Sequence, residues 1–188
     1  MRYLIPALLA LLPLVQGCAP LIIGGAAATT VVVATDRRTV GTMTEDENIE
    51  IRVAGRIRDR YGNDLNISPT SFNRSVLLTG QAPNDKVRAE AETITRGVQN
   101  VRNVYNEVVV ASASSVNSRS NDAVITSKVK ARLVDSGKVN AIHVKVVTDN
   151  GAVYLMGLVN KAEADAATQV ARTTAGVQKV VRVFEYID

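Results

Sequence analysis

The feature that most constrains the fold is an internal duplication. Val76-Leu77-Leu78-Thr79-Gly80 is matched by Val153-Tyr154-Leu155-Met156-Gly157. Gly97-Val98-Gln99-Asn100-Val101 is matched by Gly176-Val177-Gln178-Lys179-Val180, and Val104, Tyr105 and Val108 by Val183, Phe184 and Ile187. Upstream, Ile49, Val53 and Ile57 align with Ile125, Val129 and Leu133. The order is kept and the spacing nearly so, with the second copy longer between its glycines. A chain written twice folds as two copies of one small unit.

Each copy reads as α-β-β-α-β. Ile49, Val53 and Ile57 stand four apart and form one stripe of a helix, as do Ile125, Val129 and Leu133. Thr44 or Asp46 is expected to cap the first helix, and Asn121 or Asp122 its counterpart, which runs to about Ser136. Ile142, Val144 and Val146 alternate with His143 and Lys145, a half-buried strand. Asn150-Gly151 then signals a tight hairpin, because both turn residues must accept positive φ. Asn73-Arg74 takes that place in the first copy, where Pro69 weakens the preceding strand. A second helix follows each hairpin, near Asn84–Arg96 and Lys161–Thr174. Val87, Ala89 and Ile94 line the first; Ala164, Ala167, Val170 and Ala171 line the second. Gly97 and Gly176 are the expected C-caps, and Val104–Val110 and Val180–Ile187 the closing strands. A unit of about 65 residues has a marginal core on its own. The copies are therefore expected to pack together, across the small, polar linker 111–120.

The N-terminus reads MRYLIPALLALLPLVQG before Cys18. Arg2, an apolar core from Leu4 to Leu14, and Val15-Gln16-Gly17 form the layout of a secretory leader. Val15, Gly17 and the following cysteine resemble the lipobox of bacterial lipoproteins, which implies cleavage before Cys18 and acylation of its thiol. Two or more chains anchor firmly, at roughly 0.8 kcal/mol per buried CH₂. By the same resemblance, Ala19 rather than Asp after the cysteine favours the outer membrane. The rival reading is an uncleaved transmembrane anchor. Tyr3 to Thr35 carries no charge and is long enough to span a bilayer. Pro6, Pro13, Pro20 and Gly24-Gly25 interrupt it, and Val31-Val32-Val33 continues a helix poorly.

Cys18 is the only cysteine, so no disulfide forms within the chain. Two Phe, five Tyr and no Trp offer no stacking platform for nucleic acid. The net charge of +4 is compatible with an anionic lipid partner. No phosphate-binding glycine loop and no cluster with metal-ligand spacing occurs. His143, the single histidine, is expected to point outward from its strand. No catalytic residue, metal or cofactor is expected, and the chain reads as a non-enzyme.

Val-x-Leu-x-Gly, an Ala-rich helix, Gly-Val-x-x-Val and a closing strand together resemble the BON domain. The likeness covers about residues 45–110 and 121–188. Behind a lipobox, the pair is similar to the dual-BON lipoproteins of the Gram-negative outer membrane. Ala34-Thr35-Asp36-Arg37-Arg38 and Val144-Lys145-Val146-Val147-Thr148-Asp149-Asn150-Gly151 carry the likeness further. It implies an α+β fold, each copy with helices on a small three-stranded mixed sheet. It divides the chain into leader 1–17, lipidated tether 18–43, first domain 44–110, linker 111–120 and second domain 121–188. It also implies a periplasm-facing protein of the outer membrane that supports envelope integrity and binds anionic phospholipid through the first helix of the second domain.

The residues of that helix fit such a role. With Ile125, Val129 and Leu133 turned inward, Val124, Ser127, Lys128 and Ala131 fall on an outward flank. Arg132 belongs to the expected phospholipid contact, and Lys130 and Lys138 add charge nearby. A basic side chain at an anionic bilayer contributes about 1 kcal/mol, screened by salt. Two or three are weak alone but sufficient on an anchored protein, whose second contact is intramolecular. The competing reading of these lysines is an ordinary solvated face. The competing function is a periplasmic adaptor that binds outer-membrane assembly or division machinery.

Overall fold

The computed structural model describes residues 36–63, 65–111 and 116–188. Cys18, the leader and most of the expected tether lie outside the described residues. Residues 36–188 form one compact unit. The first copy contains α1 (Val40–Tyr61), β1 (Asn66–Phe72), β2 (Ser75–Ala82), α2 (Asp85–Arg96), β3 (Asn103–Asn106) and β4 (Val109–Val110). The second contains α3 (Val116–Ser136), a 3-10 turn (Ala141–His143), β5 (Val144–Asp149), β6 (Ala152–Val159), α4 (Lys161–Arg172) and β7 (Lys179–Tyr186). The order is α-β-β-α-β twice, an α+β fold.

In each copy the hairpin strands are antiparallel, and the closing strand pairs parallel to the second hairpin strand after the helical crossover. Both hairpin turns have the expected paired positive φ, at Asn73 and Arg74 (50° and 62°) and at Asn150 and Gly151 (47° and 75°). Pro69 sits in the edge strand β1, where a missing N–H is tolerated. Gly80 and Gly157 mark a close strand approach. A Cβ there would lie 1.9 Å from the Asn66 carbonyl oxygen and 2.3 Å from that of His143.

Strand alternation builds three cores. Ile49, Val53 and Ile57 of α1 pack on Val76 and Leu78; Ile125, Val129 and Leu133 of α3 pack on Val153 and Leu155. The opposite faces of the two sheets meet in a third cluster of Phe72, Leu77, Tyr154, Met156, Leu158 and Val183. The copies thus pack sheet to sheet, as their small size requires, with the helices outside. Burial pushes the Tyr154 phenol up to about 12.

Several local expectations are corrected. α1 starts at Val40 behind a Thr39 cap, so Thr44 and Asp46 lie inside it. α3 starts at Val116, within the stretch read as linker, so Asn121 and Asp122 are interior too. The two aspartates have another task. Buried Asp46 accepts the N–H groups of Asn73 and Arg74, and buried Asp122 those of Asn150 and Gly151. Each fastens its hairpin turn to the first helix. The strand β5 begins only at Val144; Ile142 and His143 belong to the 3-10 turn, capped by Asn140. His143 therefore does not point outward. Its side chain is 10% exposed, with Nδ1 3.9 Å from Glu163.

The second helices begin close to where they are expected, at Asp85 and Lys161, behind the N-caps Asn84 and Asn160. In α2, Ala91 and Thr95 rather than Ala89 face inward. Gly97 caps α2 without a left-handed φ, whereas α4 ends at Thr173, and Gly176 (φ 97°) lies beyond it. The strand register pairs Val76 with Val104 and Val153 with Val180. Val104 thus corresponds to Val180, not Val183, and the likeness between the two Gly-Val strings displaced the matching. The first closing strand is split at Glu107-Val108, while β7 is continuous.

The segment read as the end of a tether is fastened down. Arg37 Nη1 donates to the Leu158 carbonyl at 2.7 Å, and the guanidinium forks Glu163 at 2.7 and 2.8 Å. Arg38 pairs with Asp36 and Asp46 and stacks 3.9 Å from the Phe72 ring centre. Asp36–Arg38 is thereby a strap joined to both copies.

Candidate functional site

The helix α3 owes its orientation to one apolar stripe. Ile125, Val129 and Leu133 are buried against β5, β6 and α4. α4 comes close because it presents Ala164, Ala167 and Ala171. Gly176 lets the following loop touch Ile125: a Cβ there would meet the Ile125 side chain at 3.0 Å.

This inward stripe places Val124, Ser127, Lys128 and Ala131 outward together, and all four are exposed. Val124 is 50% exposed and Val134, one turn past Ala131, is 66% exposed. The Ser127 hydroxyl donates to the Ala123 carbonyl at 2.9 Å, so its polarity is largely spent within the helix. Val124, Ser127, Ala131 and Val134 form a mildly apolar strip. Among the described residues, neither Lys128 nor Lys130 forms an ion pair, which leaves both ammonium groups for solvent or a ligand.

Arg132 is placed differently from the other four. Its Nη1 donates to Thr174 Oγ1 at 2.9 Å and Nη2 to Thr173 Oγ1 at 3.0 Å, at the C-terminal end of α4. Arg56 does the same in the first copy, donating to the Gly97 carbonyl at 2.7 Å behind α2. This clamp neutralises the negative end of a helix. Val134 escaped the sequence reading, although its three-residue spacing from Ala131 extends the same strip.

Exposed valines and an alanine offer shallow apolar contact, and the adjacent lysines attract anions. Among the described residues no group of three His, Cys, Asp or Glu is placed to hold a metal ion. No helix among them is long and apolar enough to cross a membrane.

Residues 45–112 and 121–188 each match the BON domain. The chain is 39% identical over 175 residues to the outer membrane lipoprotein DolP of Haemophilus influenzae, covering 92% of this chain and 90% of that protein. It is 37% identical over 154 residues to the 21 kDa hemolysin of Actinobacillus pleuropneumoniae, covering 81% and 79%. The osmotically inducible protein Y of Escherichia coli is 31% identical over 145 residues, covering 75% of this chain and 72% of that one.

Proposed function

The chain belongs to the BON-domain family, and on that premise we propose that it is a lipoprotein of the outer membrane whose second domain touches anionic phospholipid. Cys18 carries the acyl chains, and the domains face the periplasm. Contact runs through Val124, Ser127, Lys128 and Ala131. The observation that carries this reading is the outward strip of α3, where half-exposed Val124 adjoins a lysine that forms no ion pair among the described residues. The kinship with an outer membrane lipoprotein supports the location. Arg132 adds positive charge at the border, while its guanidinium holds the end of α4. The contact needs little intrinsic affinity, because the anchor confines the domain beside the bilayer. By holding a folded module on the lipid surface, the protein supports envelope integrity without catalysis.

Flotation of the 36–188 unit with vesicles tests the contact. Recovery is expected with phosphatidylglycerol vesicles and not with phosphatidylcholine alone, and should fall as salt rises. Lys128→Glu should reduce recovery several-fold, since reversal costs about 2 kcal/mol where removal costs about 1. Equal recovery with both lipids, or with the variant, would refute the site.

A further inference from the structure

Equivalent positions of the two copies line the inter-sheet seam twice, once near Asp46 and once near Asp122. Near Asp46 the seam is filled by cations. Arg38 Nη1 meets Asp46 Oδ2 at 3.1 Å and its guanidinium covers Phe72. Lys145 Nζ reaches Glu50 Oε1 at 2.8 Å and the Ser71 carbonyl at 3.1 Å. Near Asp122 the equivalents are short: Ser68 stands for Lys145, Thr126 for Glu50 and Thr148 for Ser71. Asp149 stands for Phe72. Residues 112–115, which precede α3 as Asp36–Thr39 precede α1, read Ser-Ala-Ser-Ser and supply no arginine.

A cleft of about 490 Å³ opens there, with Ser68, Thr70, Thr126 and Thr148 among its walls and Asp122 and Asp149 in its lining. Asp122 is spent on the hairpin turn. Asp149 accepts long bonds of 3.3 and 3.4 Å from Gln81 Nε2 and forms no ion pair among the described residues. Burial raises its carboxyl pKa, and the Asp122 charge adds to the rise. Arg119 borders the cleft, yet it too forms no ion pair among the described residues. The filled end shows what such a position takes: a guanidinium delivered by a short bent strap beside the same pairing of aspartate and hairpin turn.

We propose that the cleft between β1, β5 and α3 is a peptide site that receives an arginine-bearing segment of a partner protein, as the other end of the seam receives Arg38. The guanidinium lies against Asp149, where it replaces the long Gln81 contacts with a charge-assisted pair. The Ser68 and Thr70 hydroxyls bond the segment's backbone, while those of Thr126 and Thr148 hold each other at 2.7 Å.

The probe is an acetylated, amidated peptide of this chain's own residues 34–39, Ala-Thr-Asp-Arg-Arg-Thr, titrated into the isotopically labelled full chain in detergent micelles. Saturable amide shifts are expected at Gly80, Thr126, Thr148 and Asp149. Asp149→Asn, which keeps the side chain's shape, should weaken binding about two- to fivefold, the scale of one half-exposed charge pair. A peptide with citrulline for both arginines should produce no saturable shifts. Absence of shifts, an unaffected Asp149→Asn variant, or equal binding of the citrulline peptide overturns the proposal. Shifts confined to Asp46, Ser71 and Phe72 overturn it as well, because they report exchange with the strap. Phosphatidylethanolamine vesicles that move the same cleft amides when the peptide does not would assign the cleft to a lipid amine instead.

Discussion

Single residues govern this fold where two backbones or a turn must be held at a fixed distance. Gly157 is one: the His143 carbonyl oxygen lies 2.3 Å from where a Cβ would stand, a contact with rigid backbone on both sides. Gly157→Ala must separate β5 from β6 and is expected to cost about 3 kcal/mol or more, measured by urea unfolding. Asp122 is another. Asp122→Ala leaves the N–H groups of exposed Asn150 and buried Gly151 without their carboxylate acceptor, at about 1–3 kcal/mol for the buried one. Glu163 links strap to domain, and its carboxyl is held below the ordinary 4.5, first by the Arg37 hydrogen bonds. A lowered folded pKa gives stability that is complete above the unfolded value and lost as pH falls through the folded one. The gap in melting temperature between wild type and Glu163→Gln should therefore be widest at neutral pH and close as pH falls below the ordinary 4.5. A gap that stays constant with pH would mean that the fork contributes shape and not charge. These residues also mark the limit of the sequence. Asp46 and Asp122 have the composition of N-caps and stand near helix starts, so local rules misassigned them. Their partners are more than two dozen residues away, and only the folded hairpin reveals the bond.

At the scale of elements, helices with a clear stripe were legible, and so were the limits of α2 and the end of α3, but the starts of α1 and α3 were not. Ile125, Val129 and Leu133 fixed both the inward and the outward faces of α3, because helical period alone determines them. Asn73-Arg74 and Asn150-Gly151 fixed both turns for the same reason, since φ is a local demand. The closing strands were read in the wrong register because Gly176 resembles Gly97 in type but occupies the place of Asn100 in the chain path. Both Gly176 and Asn100 take positive φ, whereas Gly97 does not. The strap was illegible because its value lies in contacts across the copies. The helix pair α3–α4 shows how one element serves two tasks. Its inward and lateral side chains set the packing, and its outward strip is left for a surface. Arg132→Ala removes the clamp on Thr173 and Thr174 and is expected to cost about 1–2 kcal/mol, whereas Lys128→Ala, which forms no ion pair among the described residues, should stay within about 0.5 kcal/mol. Chemical denaturation of the two variants separates structural from surface charge. Lys128 acquiring the larger cost would reverse the assignment.

At the scale of the whole molecule, two small copies behave as one body because they bury a shared third core. Each domain has a helix-covered sheet face that is closed by its own residues, and a second face that would be wet if the copies parted. Leu77, Tyr154 and Met156 lie on those second faces, all nearly inaccessible. Polar bonds edge the same seam, with Asn73 Nδ2 on Glu185 at 2.7 Å and Lys145 on Glu50 at 2.8 Å, but surface pairs of this kind add little. The apolar seam therefore couples the domains, and residues 36–188 should unfold in a single cooperative transition. Met156→Asp places a carboxylate in the middle of the seam while leaving both helix-facing cores intact. The charge is relieved by admitting water between the sheets, so the domains should separate while each retains its strands. Calorimetry should then show two transitions at lower temperature in place of one. The Tyr154 phenol supplies an independent reading, because burial in this same cluster is what lifts it to about 12. In Met156→Asp its spectroscopic titration should fall back toward 10 as water reaches the ring, although the new carboxylate opposes the fall slightly. A single transition together with an unmoved phenol would mean that the strap, and not the seam, binds the copies into one unit.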